Sequence, residues 1–369
     1  MRRLTILGAL IGCAAIVFAG CGSSTSSSGG GSGATKVALI LNGPADDGGW
    51  NTIWQQSVAR LRSAVPKADV TVVPNITAGA DAQRTLQTLA QQGNKLIVLT
   101  GGYADADVRK AARDYPDTKF MNLFGSQVSS NMSPFSTAIE QGRYLDGIVA
   151  GMATRSNVLG EVGGYPIAFE ARTLNAFAQG VHSVNPQAKV KILWVNSFYD
   201  PAKERQAAQA LVDAGADVLV MDSNTPAVSS VARAKNVKLV GYGISREKDA
   251  PRQWLGTFTF DWAPYLIEWT RDVQSGDLKS QLYYEGIKQG VIGSTPWGES
   301  VSSAAASKAA AARKQIVDGS LNVFTGPLQS NTGKTVVPSG QALTTPAQLN
   351  PCCTWLSDNV EGNLGQSGG

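Results

Sequence analysis

Apolar runs and amphipathic stretches alternate along this chain from residue 36 onward. Residues 36–41 (Lys-Val-Ala-Leu-Ile-Leu) read as a buried strand, a Gly/Asp-rich turn covers 42–49, and a helix is predicted from Trp50. Further strands are predicted at 70–73, 95–99 and 119–123, separated by helices around 82–92 and 105–115. The order then repeats, with strands at 157–162, 189–195, 217–221 and 237–242 and helices near 172–184, 201–214 and 227–234. Such alternation predicts an α/β fold class: parallel, doubly wound sheets with helices on both faces, one sheet in each of two lobes. A helix over 142–155 lies near the passage from the first lobe to the second, and 258–262 lies near a passage back. Residues 300–318 are Ala-rich with few breakers, a helix by propensity. From 321 onward, Gly, Pro and short Val runs such as 334–337 predict a hairpin and an irregular tail.

The first residues follow a different pattern. Met1-Arg2-Arg3 precedes an apolar run that ends at Gly20-Cys21, the charged, hydrophobic and small-residue layout of a secretory signal. The run is shorter than the roughly 20 apolar residues of a membrane span. The stretch Val17-Phe18-Ala19-Gly20-Cys21 resembles a bacterial lipoprotein signal, which implies acylation of Cys21, although Phe18 departs from the usual aliphatic residue. The alternative is an ordinary cleavage site that leaves an exposed Cys. Ser and Gly dominate 22–33, the composition of a flexible tether.

Composition narrows the chemistry. The 369 residues carry 32 Lys+Arg against 28 Asp+Glu, a formal +4, with no Lys/Arg run to mark a nucleic-acid footprint, so no nucleic-acid partner is expected. A single His, His182, disfavours His-rich metal sites and triad catalysis, and no metal or cofactor is expected. No Gly-x-Ser-x-Gly occurs; Gly243-Ile244-Ser245 lacks the following Gly. Gly333-Lys334-Thr335 has Leu328 where a phosphate loop needs Gly. Asp46 and Asp47, adjacent in the first strand-to-helix turn, suit either helix capping or acid/base work. Cys352 and Cys353 are adjacent; they form a vicinal disulfide or stay reduced.

Several stretches resemble the basic membrane protein family of substrate-binding lipoproteins, which serve ABC importers and include purine-nucleoside receptors. They are Asp46-Asp47-Gly48-Gly49-Trp50-Asn51, Gly164-Tyr165-Pro166-Ile167, Asn175-Ala176-Phe177 with Gly180, and the block from Trp194 through Asn196, Phe198, Asp200 and Pro201 to Glu204. Ala214-Gly215-Ala216-Asp217, Tyr284-Glu285-Gly286, Gly290-Val291 and Phe324-Thr325-Gly326-Pro327 continue the match over nearly all of the mature chain. The resemblance implies two Rossmann-like lobes of the type I periplasmic-binding-protein architecture, joined by crossover hinges and closing on a ligand. The expected division is signal 1–20, tether 21–35, first lobe 36–153, second lobe 154–260, a return to the first lobe with hinge crossings 261–320, and a C-terminal hairpin and tail 321–369.

Ligands of open parallel sheets sit beyond the carboxyl ends of the strands, which singles out Trp50, Asn51, Asn196, Phe198, Asp222 and Tyr242. The resemblance implies that Trp50 and Phe198 are two faces of a clamp around a planar base. Asn51 can both donate and accept, and Asp47 and Asp222 can accept from ring or sugar donors. Tyr165, Asp261 and Trp262 complete the candidate set. Each has a structural alternative: Trp50, Phe198 and Tyr242 as packing, Asp47 and Asn51 as helix caps, Asn196 and Asp222 as partners of neighbouring backbone. The receptor turn that carries a sugar-binding Asp reads Gly241-Tyr242-Gly243-Ile244-Ser245 here, and Phe258 to Tyr265 looks more like the branch reported to bind free bases. The expected function is a membrane-anchored, extracytoplasmic solute-binding protein of an ABC importer, a monomer. It sits on the outer face of the cytoplasmic membrane or in the periplasm, presenting a purine-type ligand, nucleobase first and nucleoside next, to a permease. The alternatives are an exported nucleoside hydrolase-like enzyme built on Asp46, Asp47 and Asp222, and a sensing domain for a signalling partner.

Overall fold

The computed structural model describes residues 33–223 and 225–365. The expected signal segment, Cys21 as the expected acylation site, and most of the expected tether lie outside the described residues.

The first lobe runs β1 (Thr35–Ile40), α1 (Trp50–Ala64), β2 (Ala68–Val73), α2 (Ala80–Gln91), β3 (Leu96–Leu99), α3 (Asp105–Asp114), β4 (Lys119–Leu123) and β5 (Met132–Thr137). Its β3 is Leu-Ile-Val-Leu, buried at every position, as strands covered on both faces must be. Helix α4 (Ile139–Ala153) leads into the second lobe. That lobe comprises β6 (Val158–Gly163), α5 (Ala168–Val184), β7 (Lys189–Trp194), α6 (Pro201–Asp213), β8 (Val218–Met221), α7 (Ala227–Lys235), β9 (Lys238–Val240) and β10 (Trp254–Gly256). Helix α6 starts where Asp200 accepts the Lys203 amide and Pro201 supplies a preset φ.

The chain then makes β11 (Phe258–Phe260), α8 (Ala263–Ser275), β12 (Tyr283–Glu285), β13 (Ile292–Ser294) and α9 (Ser303–Asp318), followed by β14 (Leu328–Gln329), β15 (Thr335–Val337), α10 (Pro346–Leu349) and β16 (Val360–Glu361). Among the described residues each lobe holds one six-stranded sheet, ordered β12-β5-β4-β3-β1-β2 in the first and β10-β9-β8-β6-β7-β16 in the second. Every pairing within the two sheets is parallel. Strands β11 and β13 pair antiparallel in a two-stranded sheet of their own.

Four strands of the large sheets escape the hydropathy pattern. β5 reads Met-Ser-Pro-Phe-Ser-Thr yet is buried throughout. β10 and β12 are three residues each, and β16 is two. The strand expected over 237–242 stops at Val240, because Gly241 lies under the Trp254 ring and Tyr242 turns into a bridge with Ile244. The tail expected to be irregular instead closes the second sheet with β16, and Asn175 fastens it by accepting the Ser357 amide and donating to the Trp355 carbonyl, both at 2.8 Å.

Helices α4 and α5 form the closest helix pair. A methyl on Gly147 would overlap the Phe177 carbonyl, and one on Gly180 would overlap the Tyr144 carbonyl. These glycines let two backbones touch and seat α5 beside the interlobe helix.

Candidate functional site

On the first lobe the site is built around the start of α1. Asp47 accepts the amides of Gly49 (2.9 Å), Asn51 (3.1 Å) and Thr52 (3.1 Å), and also the Asn51 side-chain amide (3.0 Å). Its carboxylate is therefore occupied in fixing the turn, the capping role given above as its structural alternative. The cap orients Trp50, whose indole Nε1 donates to the Thr100 carbonyl at 2.8 Å. The Trp50 ring lies 6.3 Å from Phe124 at an interplanar angle of 27° and meets Phe260 edge-on at 5.3 Å. Phe124 holds a left-handed φ of 62°, uncommon for an aromatic residue, at the carboxyl end of β4. Asn51 is buried, and its Oδ1 has no hydrogen-bond partner.

Two residues expected in the cleft are elsewhere. Trp262 is 1% exposed and stacks on Trp54 at 4.4 Å and 4°, so it forms the core behind Trp50 and not a ligand-facing wall. Asp261 pairs with Arg60 of α1 and accepts the Ala263 amide, the work of a surface ion pair and helix start.

On the second lobe, Asp222 follows β8, Tyr242 follows β9, and Asn196 and Phe198 follow β7, all at carboxyl ends of strands as expected. Phe198 packs edge-on against Tyr165 at 5.0 Å over Gly164, and both rings are about 40% exposed. Asn196 is exposed, with a left-handed φ of 52°. The buried residues are different in kind. Asp222 lies in a cluster with Glu170 of α5, Glu161 of β6, Arg143 and Asp146 of α4, and Tyr242. Arg143 donates to the carbonyls of Gly241 (3.1 Å) and Met221 (2.9 Å) and lies 3.5 Å from Glu161 and 3.9 Å from Asp146. Its guanidinium also sits 5.3 Å from the Tyr242 ring centroid and 5.5 Å from that of Phe258. Glu204 of α6 accepts from Ser223 and Thr225, and so holds the loop that carries Asp222.

The lobes touch through these same loops. Phe124 meets Phe169 of α5 at 4.7 Å, and Arg246 reaches across to the Gly48 carbonyl at 2.9 Å. Phe260 bridges Trp50 and Tyr242, 5.3 Å from one ring and 6.1 Å from the other. Trp50, Asp222 and Tyr242 thus belong to one region, whereas Phe198 pairs with Tyr165 at its rim. Arg143, Phe124, Phe169 and Glu170 were not anticipated. Phe124 is set apart only by its backbone φ, which the sequence does not carry, and Arg143 and Glu170 only as charges on otherwise apolar helical stripes. A separate cavity of about 350 Å³, bounded by Gln141, Tyr284, Lys288 and Asp318, includes none of the predicted site residues. Among the described residues no His/Cys/Asp/Glu group is arranged to hold a metal ion, and no helix is long and apolar enough to cross a membrane.

Burial pushes Asp146 up to about 7 and Glu161 up to about 8, against the pull of Arg143. In an unfolded chain both ionise near 4, so between about pH 4 and pH 8 the folded state keeps protons that the unfolded state releases. Stability contributed by these groups is greatest at the acid end of that window and declines as pH rises through it. The melting temperature should fall by about 5 °C between pH 5 and pH 8.5. Calorimetry would show this, with a shallower slope in E161Q; a melting temperature that climbs over this range would refute the assignment.

A family profile described as ABC transporter substrate-binding protein, PnrA-like, matches residues 34–324. A purine-binding protein of Brucella abortus (strain 2308) is 34% identical over 308 residues, covering 83% of this chain and 87% of the relative. A putative ABC transporter glucose-binding protein of Haloferax volcanii is 33% identical over 250 residues, 68% of this chain and 64% of the relative. Among solved structures, an ABC transporter system solute-binding protein from Conexibacter woesei superposes with a TM-score of 0.67 at 25% identity, covering 78% of this chain and 98% of the other.

Proposed function

Because the chain belongs to the PnrA-like family of ABC transporter substrate-binding proteins, we propose that it captures a purine-type solute between its lobes and delivers it to a membrane permease, tethered outside the cytoplasm through Cys21. A nucleobase is favoured and a nucleoside comes next. The observation that carries this reading is the arrangement across the interlobe contact: a half-buried indole, Trp50, on one side and a floor of buried carboxyls with Tyr242 on the other. A flat ring system with polar edges matches both, by stacking on the indole and hydrogen bonding at the floor. The longer coverage of the Brucella purine-binding relative supports the same ligand class over a sugar. Ligand that contacts both lobes favours the closed state, and the permease reads that closure. The protein works by this change of shape and without chemistry on the solute. The hydrolase alternative draws no support from its three acids: Asp46 is exposed, Asp47 is held in the α1 cap, and Asp222 is buried in the cluster around Arg143.

Titration calorimetry with adenine, guanine, their nucleosides and glucose tests the reading. Micromolar or tighter binding of a purine is expected, and a folded protein that binds glucose and no purine would sink it. Trp50→Ala should weaken purine binding by about 10- to 100-fold, since stacking on an aromatic ring contributes roughly 1–3 kcal/mol, while Trp50→Phe keeps most of the affinity.

A further inference from the structure

The cluster in the second lobe sets four buried carboxyls against one guanidinium. Asp222 is 2% exposed and Glu170 is 3% exposed. Neither oxygen of Asp222, nor Oε2 of Glu170, stands in full hydrogen-bonding geometry to a protein donor, although the Gly164 amide approaches Asp222 and the two carboxyls face each other. The cation nearby is already committed, with Arg143 donating to Gly241 and Met221 and pairing with Glu161 and Asp146. Glu161 and Tyr242 complete the surroundings, and neither adds positive charge. Unpaired carboxylate oxygens are costly to bury, so a donor is missing at this spot. Both residues stand at carboxyl ends of second-lobe strands or in the helix turn that follows, the edge that meets the first lobe, so the donor comes from whatever the lobes enclose.

We infer that Asp222, held by its partner Glu170, is the specificity-determining acceptor of the site and selects purines that carry an exocyclic amine. The inference rests on the purine reading above and deepens it. Guanine presents a ring N–H and an amine side by side, two donors for one carboxylate; hypoxanthine lacks only the amine. Adenine presents its amine beside a ring-nitrogen acceptor, which suits a carboxyl pair sharing one proton, and unsubstituted purine lacks that amine. Burial, reinforced by the Asp222 charge, holds Glu170 protonated well above the usual carboxyl range, so its proton steadies Asp222 while an acceptor oxygen stays open to the ligand.

The test is calorimetric titration of the purified full-length protein with two matched pairs, guanine against hypoxanthine and adenine against purine. At least one pair should show a preference of about tenfold or more for the amine-bearing member, because a site built to bond a group discriminates against the analogue lacking it. In D222A, which leaves no side-chain acceptor, that ratio should collapse towards one. In E170Q it should persist, since the amide N–H replaces the shared proton. Ratios below about threefold for both pairs in the unmodified protein overturn the inference whether or not the variants fold. So does D222A with its preference intact. Absence of binding to all four bases overturns the purine reading itself and this inference with it.

Discussion

Arg143→Met is expected to be the most damaging single substitution in the buried charge cluster. Its side chain is fully buried and satisfies two carbonyls, those of Gly241 and Met221, that end adjacent strands. It also balances Glu161 and Asp146, and Phe177, Tyr242 and Phe258 present ring faces to it at 5.3 to 5.8 Å. A methionine fills the volume and supplies none of the donors, leaving acids in a low-dielectric site without their counter-charge. Breaking a buried ionic network in this way costs about 3–5 kcal/mol. Lysine should not restore it, because one ammonium cannot span both carbonyls as a planar fork does. Urea denaturation should show the loss, and the double variant R143M/E161Q should recover part of it, since removing one orphaned acid relieves the same deficit. A midpoint within the error of the unmodified protein would refute the prediction, since the Gly241 and Met221 carbonyls lose their donors whatever the acids' charge.

The second large effect lies at the α4–α5 contact. Gly147→Ala ought to stabilise on helix propensity alone, by up to about 1 kcal/mol. The sign reverses because the added methyl meets the Phe177 carbonyl, and behind it the Gly180 Cα at 3.0 Å. Backbone atoms cannot rotate away as a side chain does, so the helices must separate, at a cost of about 3 kcal/mol or more. Gly180→Ala should behave alike by striking the Tyr144 carbonyl. Thermal melts of both variants check this, and a gain in stability from either would mean that the helices are not in contact at these glycines.

Legibility from sequence followed how much of each element's stabilisation is local. β1, β3 and β8 announce themselves as short apolar runs, and α6 through Asp200-Pro201. β5 does not, because Ser133, Ser136 and Thr137 are buried by neighbours distant in sequence, and β12, β10 and β16 exist only because a sheet edge receives them. The site divided in the same way. Trp50, Asp222 and Tyr242 stand where strand ends place them, a rule that topology supplies. Trp262 and Asp261 share the same loop position, yet one faces Trp54 and the other Arg60, a distinction set by packing. Several motifs that carry the family resemblance are structural in origin: Asp47 caps α1, Glu204 holds the Asp222 loop, Asn175 fastens the tail, and Gly180 admits α4. Arg143 and Glu170 were passed over because a charge on an apolar stripe is informative only once its neighbours are known.

Strand β16 governs the order in which the molecule can be finished as it is made. The edge of β7 that it covers is synthesised far earlier, and the first-lobe sheet likewise waits for β12, which follows the whole run of second-lobe strands from β6 to β10. A chain emerging from its N-terminus therefore holds two sheets with open edges at once, each a template for pairing with another copy. Neither lobe is an early, self-sufficient product, so cellular export or in vitro refolding handles both together, and a truncation before Val360 should surface as aggregation more than as weakened capture of solute.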